Sequence, residues 1–355
     1  MRKRDTMICA AMTLFIAAFM ALTPNYIASG RKQLTQRLRA ENTESYQGII
    51  RLWHIVGFKP KTGSLSSWLG RAASAVEKRH RGVYFEVEGM TAEEYEARRK
   101  RGERADVYSF HCGWKHPEEL KPQETALENM RGNLAETGRF NGSSYAVPYA
   151  ASGYFLAVNS RLMQEKGLNA DTLKDAIRSG TVKISGDAVV ACIYGASGSL
   201  SSIEDFKNEK AVAAFVDARE TGDMERRLQE GKGFLFELYD CTNYTDLVQY
   251  IGVDREADDT MAGYIKELVE YVLAPERQSS LSELGLMPVA AESTVSDAKK
   301  LTLASADITA PSCFLYGTYR EQLYESAAAG LSGSKEAKKD MDLRLKELVR
   351  GAAIK

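Results

Sequence analysis

Between residues 49 and 110 the chain switches repeatedly from one hydrophobic period to another, and a chain that does so has few folds open to it. Ile49–Val56 (IIRLWHIV) is an apolar run of strand length, whereas Ser64–His80 carries Leu65, Trp68, Leu69, Ala72, Ala73 and Val76 at the spacing of one helix face. Val83–Val87 is a second strand. Thr91 and Glu94 form a capping-box pair that opens a charged helix, and Asp106–Phe110 is a third strand. Strands that alternate with helices need crossover connections, so the chain is expected to be α/β, with a mostly parallel sheet covered by helices on both faces.

The pattern recurs further on. Gly142–Asn159 holds two short apolar strands broken at Pro148 and at Ser152-Gly153, and Ser160–Gly167 follows as a helix stopped by glycine. This stretch reads as a crossover between lobes. Residues 171–252 mix helical segments with strands, Val189–Tyr194 among them, and Met261–Leu273 is an amphipathic helix ended by Ala274-Pro275. The expected organisation is a first lobe over residues 48–148, a second over 149–275, a hinge near 145–154, and a return segment with C-terminal helices over 276–355. In that last part Lys335–Val349 is charged and helical, with Met341, Leu343, Leu345 and Leu348 available to dock it.

At the N-terminus Arg2, Lys3 and Arg4 precede the apolar run Met7–Thr23, the charge-then-apolar order of an export signal. The run is 17 residues long, at the lower limit for a membrane-spanning helix, and no clean small-x-small cleavage site follows it. Residues 1–29 therefore read as a signal or transmembrane anchor, favouring retention, with a polar linker over 30–47. The basic end stays cytoplasmic and the remainder lies on the extracytoplasmic face of the cell membrane. Cys9 comes too early in the run to serve as a lipid-anchor cysteine.

Lys and Arg number 47 against 48 Asp and Glu, a net charge of −1, which excludes sequence-independent binding to nucleic acid. Cys112, Cys192, Cys241 and Cys313 are scattered, with no C-x-x-C or Cys/His spacing to hold a metal. Buried free thiols are favoured over two disulfides, because cysteine packs as a small hydrophobe. No cofactor, metal or catalytic residue is expected.

The order of segments resembles the extracellular solute-binding proteins of ABC importers, the family 1-like, sugar-type group. The resemblance covers most of residues 48–290. It rests on Ile50-Arg51-Leu52-Trp53, then Glu77–Val87 (EKRHRGVYFEV), then Arg104-Ala105-Asp106-Val107 at the third strand, without the family's proline. More specific is Asn141–Tyr149 (NGSSYAVPY), similar to the family's G-x-x-Y-A-V-P crossover, followed by Gly153-Tyr154 and Val158-Asn159. Tyr271-Val272-Leu273, Pro275–Gln278 and Leu284–Val289 (LGLMPV) resemble its late helix, its glutamine and its G-x-x-P-V turn. The resemblance implies a two-lobed, hinge-linked periplasmic-binding-protein-like fold of type II, carried behind an N-terminal helix. It also implies a non-enzymatic function: capture of a small solute, a carbohydrate or a related compound, for ABC permease subunits, by a monomer. The missing lipid-anchor cysteine and the highly charged stretch 210–231 depart from the family.

Sugars combine apolar ring faces with rims of hydroxyls, so their clefts pair aromatic platforms with a few polar groups. Ligands of open α/β sheets bind outside the carboxyl ends of the strands. That rule selects Trp53 and His54 after the first strand, and His111 and Trp114 after the third. Tyr149 and Tyr154 flank the crossover, and Tyr194 with Ser197 and Ser199 follows a strand of the second lobe. Core packing is the competing role for Trp53, Tyr154 and Tyr194, and a structural hydrogen bond for His54 and His111. Trp114, in the polar loop GWKHPEE, is the expected platform. Asp240 and Asp246 have two roles open, bonding hydroxyls or capping turns, and capping is favoured.

Two rivals follow from the same residues. One is a transport-inactive anchored scaffold or sensor, which the absent lipid-anchor cysteine favours. The other is an exported hydrolase using His111 or Cys112, for which no base, orienting group or metal spacing is visible. Gly195–Ser199 (GASGS) lacks the residues of a phosphate loop or a nucleophile elbow and reads as a flexible loop.

Overall fold

The computed structural model describes residues 46–124, 127, 129–293 and 308–351. The apolar run Met7–Thr23, its basic flank and nearly all of the polar linker lie outside the described residues. Among the described residues no helix is long and apolar enough to cross a membrane.

The expected βα units are present. Strand β1 (Gly48–Ile55) leads to helix α1 (Leu65–Glu77), β2 (Val83–Met90), α2 (Ala92–Lys100) and β3 (Val107–His111). The Ser64 hydroxyl caps α1 by accepting the Ser67 N–H at 3.1 Å. Thr91 and Glu94 close a reciprocal capping box on α2, at 3.2 and 2.8 Å. β1 pairs in parallel with β2 and β3. Next come β4 (Leu120–Lys121), the single turn α3 (Leu134–Thr137), the hairpin β5 (Arg139–Phe140) and β6 (Ser143–Ser144), and β7 (Val147–Ala151).

The chain then crosses at Ser152-Gly153 into a second sheet. It runs through β8 (Tyr154–Asn159), α4 (Ser160–Glu165), α5 (Ala170–Ser179), β9 (Ile184–Gly186) and α6 (Ala188–Tyr194). It continues through β10 (Leu200–Ser201), α7 (Ile203–Lys207), β11 (Ala213–Asp217), α8 (Ala218–Gln229) and β12 (Phe236–Asp240). The strand order is β10-β9-β11-β8-β12, with β8 antiparallel to both neighbours. One face of β8 sends Leu156 and Val158 beneath α5 and α6, and the other packs Phe155 and Ala157 against Phe206 and Met224.

The return falls earlier than the sequence implies. Strand β13 (Val248–Asp254) belongs to the first sheet, whose order is β2-β1-β3-β13-β4 with β7 also on β13. Helix α9 (Asp259–Leu273) packs on α1 of that sheet. The expected second-lobe boundary at 275 therefore moves to the crossing at 241–247. Hydrophobic period along the chain says nothing of which sheet takes β13; antiparallel pairing with β3 decides that. α10 (Pro275–Ser279), α11 (Cys313–Leu331) and α12 (Lys335–Gly351) complete the described body. Met341 and Leu348 dock α12, whereas Leu343 is exposed.

Two further readings are corrected. Val189–Tyr194 is helix α6, not a strand: Asp187 accepts the Val190 N–H at 2.9 Å and Gly195, with φ 89°, ends it in the left-handed region. A β-branched run buried on every side has no period to betray it, so the caps decide. Pro148 lies inside β7 rather than breaking it, because among the described residues β7 pairs with β13 alone at that position, its bridge to Met287 falling at Ala151, and a register shift lies opposite.

Candidate functional site

The carboxyl ends of β1 and β3 in the first sheet, the segment after β9 in the second, the crossing at 241–247 and helix α11 converge on one cluster. Helix α11 bridges the sheets. Near its start Cys313 accepts the Gly113 N–H at 2.8 Å. Gly317 lies so close to Gly113 that a Cβ there would stand 2.5 Å from the Gly113 carbonyl oxygen. At its far end the Leu331 carbonyl accepts the Gly198 N–H at 2.8 Å.

Tyr316, Arg320 and Tyr324 are four residues apart, so α11 presents them on one face. The Tyr316 hydroxyl donates to Asp246, whose other oxygen accepts the Tyr154 hydroxyl at 2.7 Å. The Tyr324 hydroxyl donates to Asp187 at 2.6 Å. The carboxylate at the crossing, Asp246, is thus held by two phenols, and the one after β9, Asp187, by a phenol and the α6 backbone.

Burial raises the Asp187 carboxyl to about 6, helped by the charge of Asp246; the Tyr324 hydroxyl and the α6 backbone pull the other way. His111 closes the first-sheet side. Burial and the Arg320 guanidinium push its imidazole down, against the pull of Asp246. Its buried Nδ1 has no hydrogen-bond partner among the described residues. Gly57 lies directly over the ring, where a Cβ would stand 2.0 Å from Cγ. At the rim, Lys61 of the loop after β1 pairs with Glu225 of α8 at 2.5 Å, so the two sheets also touch directly.

Of the nine residues expected from sequence, Ser199 is exposed beyond α6 and the other eight separate into three groups. His111 and Tyr154 belong to this cluster. Tyr194, at the end of α6, is half-buried against Phe215 and lines a hollow of the second sheet, while Ser197 turns back to the Ile177 carbonyl through its N–H at 3.1 Å. The remaining four are core. β1 runs to Ile55, so Trp53 and His54 lie within the strand instead of beyond it. Trp53 packs edge-on to Tyr95 and Tyr108 beneath Arg98. His54 is pushed down to about 4 by burial, then by the charge of His111, and its Nδ1 meets the Ser109 hydroxyl at 2.9 Å. Trp114 stacks on Phe110 and Tyr95 with 6% of its surface exposed, and its Nε1–H donates to the His116 carbonyl at 3.0 Å. Tyr149, 0% exposed, stacks on Trp68 and joins its hydroxyl to Ser109 at 2.9 Å. An indole in a polar loop still folds inward when aromatic neighbours and a carbonyl acceptor lie within reach.

Asp187, Tyr316, Arg320 and Tyr324 are not among the residues expected from sequence to meet a ligand, and for Asp246 capping is the favoured of two roles. The four-residue spacing on α11 was a legible signal, but Asp246 reads as a turn cap until folding brings two phenols to it.

No serine, threonine or cysteine stands among the cluster residues named above. Cys112 is buried and its thiol is pushed well up by burial, away from reactivity, and Cys112, Cys192, Cys241 and Cys313 are free thiols. His116, Glu118 and Glu119 lie near one another away from the cluster, but Arg99 and Tyr95 engage Glu119 at 2.6 and 3.0 Å.

No protein-family model and no curated protein matches the chain. Solved structures do. The cyclic α-maltosyl-1,6-maltose binding protein of Arthrobacter globiformis superposes with a TM-score of 0.60 at 13% identity, covering 86% of this chain and 100% of that one. RafE from Streptococcus pneumoniae gives 0.56 at 13% identity over 87% and 100%. An ABC substrate-binding protein of Listeria monocytogenes in complex with cycloalternan gives 0.54 at 10% identity over 87% and 100%. The chain shares their two-sheet α/β fold.

Proposed function

We propose that this protein captures a small solute, a carbohydrate or a related compound, between its two sheets on the extracytoplasmic side of a membrane and presents it to an ABC-type permease. The observation that supports this most is the convergence of both sheets and α11 on one polar, phenol-lined cluster. Two of the solved structures of like fold are named with such compounds, cyclic α-maltosyl-1,6-maltose and cycloalternan, which agrees with it. His111, Arg320 and Tyr324 would meet the solute's hydroxyls. Tyr154, Tyr316 and Asp246 would hold the crossing that bends, and the solute would shift the sheets toward closure as far as it prefers the closed form. The basic residues before Met7–Thr23 support tethering through that segment, with the folded body outside.

The test is calorimetric titration of the full-length protein against maltodextrins, chito-oligosaccharides, galactosides and short peptides. One sugar class should bind saturably, and His111→Ala with Arg320→Ala should abolish its heat. Absence of heat from every compound would count against solute capture and favour an anchored scaffold that has lost transport.

A further inference from the structure

A second hollow, of about 770 Å³, opens on the second sheet at the opposite end of α6 from Asp187. That volume suits a small organic ligand. Its apolar wall is Leu156 of β8, Leu173 of α5 and Ile193 of α6, with the Tyr194 ring beside them. Lys174 and Arg178, one turn apart on α5, also line it. Neither cation is paired with a carboxylate among the described residues. Asp240 contributes the one carboxylate of the lining, which leaves it with an excess positive charge. These residues belong to the second sheet and its helices, and Cys241, Thr242 and Asn243 at the start of the crossing complete the lining; Asp187, Asp246 and the tyrosines that hold them are not part of it.

We propose that this hollow is a separate binding site for an amphipathic organic anion, whose apolar body lies on Leu156, Leu173 and Tyr194 and whose charge meets Lys174 and Arg178. The combination supports this class. An apolar wall alone would take any hydrophobe, and two surface cations alone would take any anion weakly. Together they select a molecule carrying both parts, with the charge-assisted contacts supplying most of the discrimination.

The test uses the full-length protein and two fluorescent probes with the same aromatic body, anilinonaphthalene sulfonate and the uncharged N-phenylnaphthylamine. The sulfonate should saturate one site. Lys174→Gln with Arg178→Gln should weaken it about tenfold or more, the loss of charged hydrogen bonds, and leave the uncharged probe unaffected. Ala170→Trp, built from an exposed position on the rim, should exclude both probes, while His111→Ala should leave both bound. Circular dichroism melts check that each variant is folded. A sulfonate affinity indifferent to the charge substitutions, survival of binding in Ala170→Trp, or no saturable sulfonate signal would each overturn the proposal. Because the probes report this hollow and sugar titration reports the other cluster, either reading can fail alone.

Discussion

Asp187 serves two structures at once: its side chain caps α6 and accepts the Tyr324 hydroxyl. Its carboxyl titrates near 6 against 3.8 when unfolded, so between those values the native state binds more protons than the unfolded state. Stability therefore falls as pH rises through this window. Glu220, raised to about 7 by burial and then by Asp217, adds a loss of the same sign at somewhat higher pH. Thermal melts from pH 4 to pH 7 should show this decline, and Asp187→Asn, which keeps a capping oxygen, should flatten its lower part. An unchanged slope in that variant would mean the carboxylate is not the group responsible. Trp114 gives a second residue-level test, because a core indole and a ligand platform fail differently. Trp114→Ala should cost about 3–5 kcal/mol in denaturant unfolding. Lost solute affinity with full stability would restore it to the cleft.

Helix α11 is the element that joins the two halves of the cluster, since it reaches both the Gly113 loop of the first sheet and Asp187 of the second. Its docking depends on a missing side chain. Glycine inside a helix ordinarily costs about 1 kcal/mol relative to alanine, so Gly317→Ala would stabilise a free helix. Here the added methyl meets the Gly113 carbonyl, and displacing backbone costs typically 1–3 kcal/mol. The variant should therefore melt lower than the parent, and a higher melting temperature would show that the helix start is not seated as described. Helix α6 shows the opposite balance, for its caps override a β-branched sequence.

Across the whole molecule, an ion pair between Lys61 and Glu225, whose side chains are 23% and 27% exposed, spans the sheets at the rim beside Gly222 of α8, which lies against the Lys61 backbone. Such a partly solvated pair contributes at most about 1 kcal/mol, roughly fivefold in any open-to-closed ratio. On the proposed closure mechanism, Lys61→Met should expand the solute-free protein in small-angle X-ray scattering and weaken the solute by no more than that factor. A much larger loss would make Lys61 a ligand contact. The residues of the polar cluster lie at strand ends and on α11, and this is where local reading of the chain reached its limit. Hydrophobic period and capping residues are properties of neighbours along the chain. They suffice for β1, α1, β2, α2 and β3, for the crossing after β7, and for the α/β class itself. They place a tryptophan or a tyrosine on an element without saying what covers it, so Trp114 and Tyr149 are indistinguishable from platforms until Phe110, Tyr95 and Trp68 are brought against them. The membership of β13 in the first sheet and the meeting of Tyr154 with Tyr316 on Asp246 are likewise long-range facts. They depend on pairings between residues some 70 to 140 positions apart, which only the packed chain brings together.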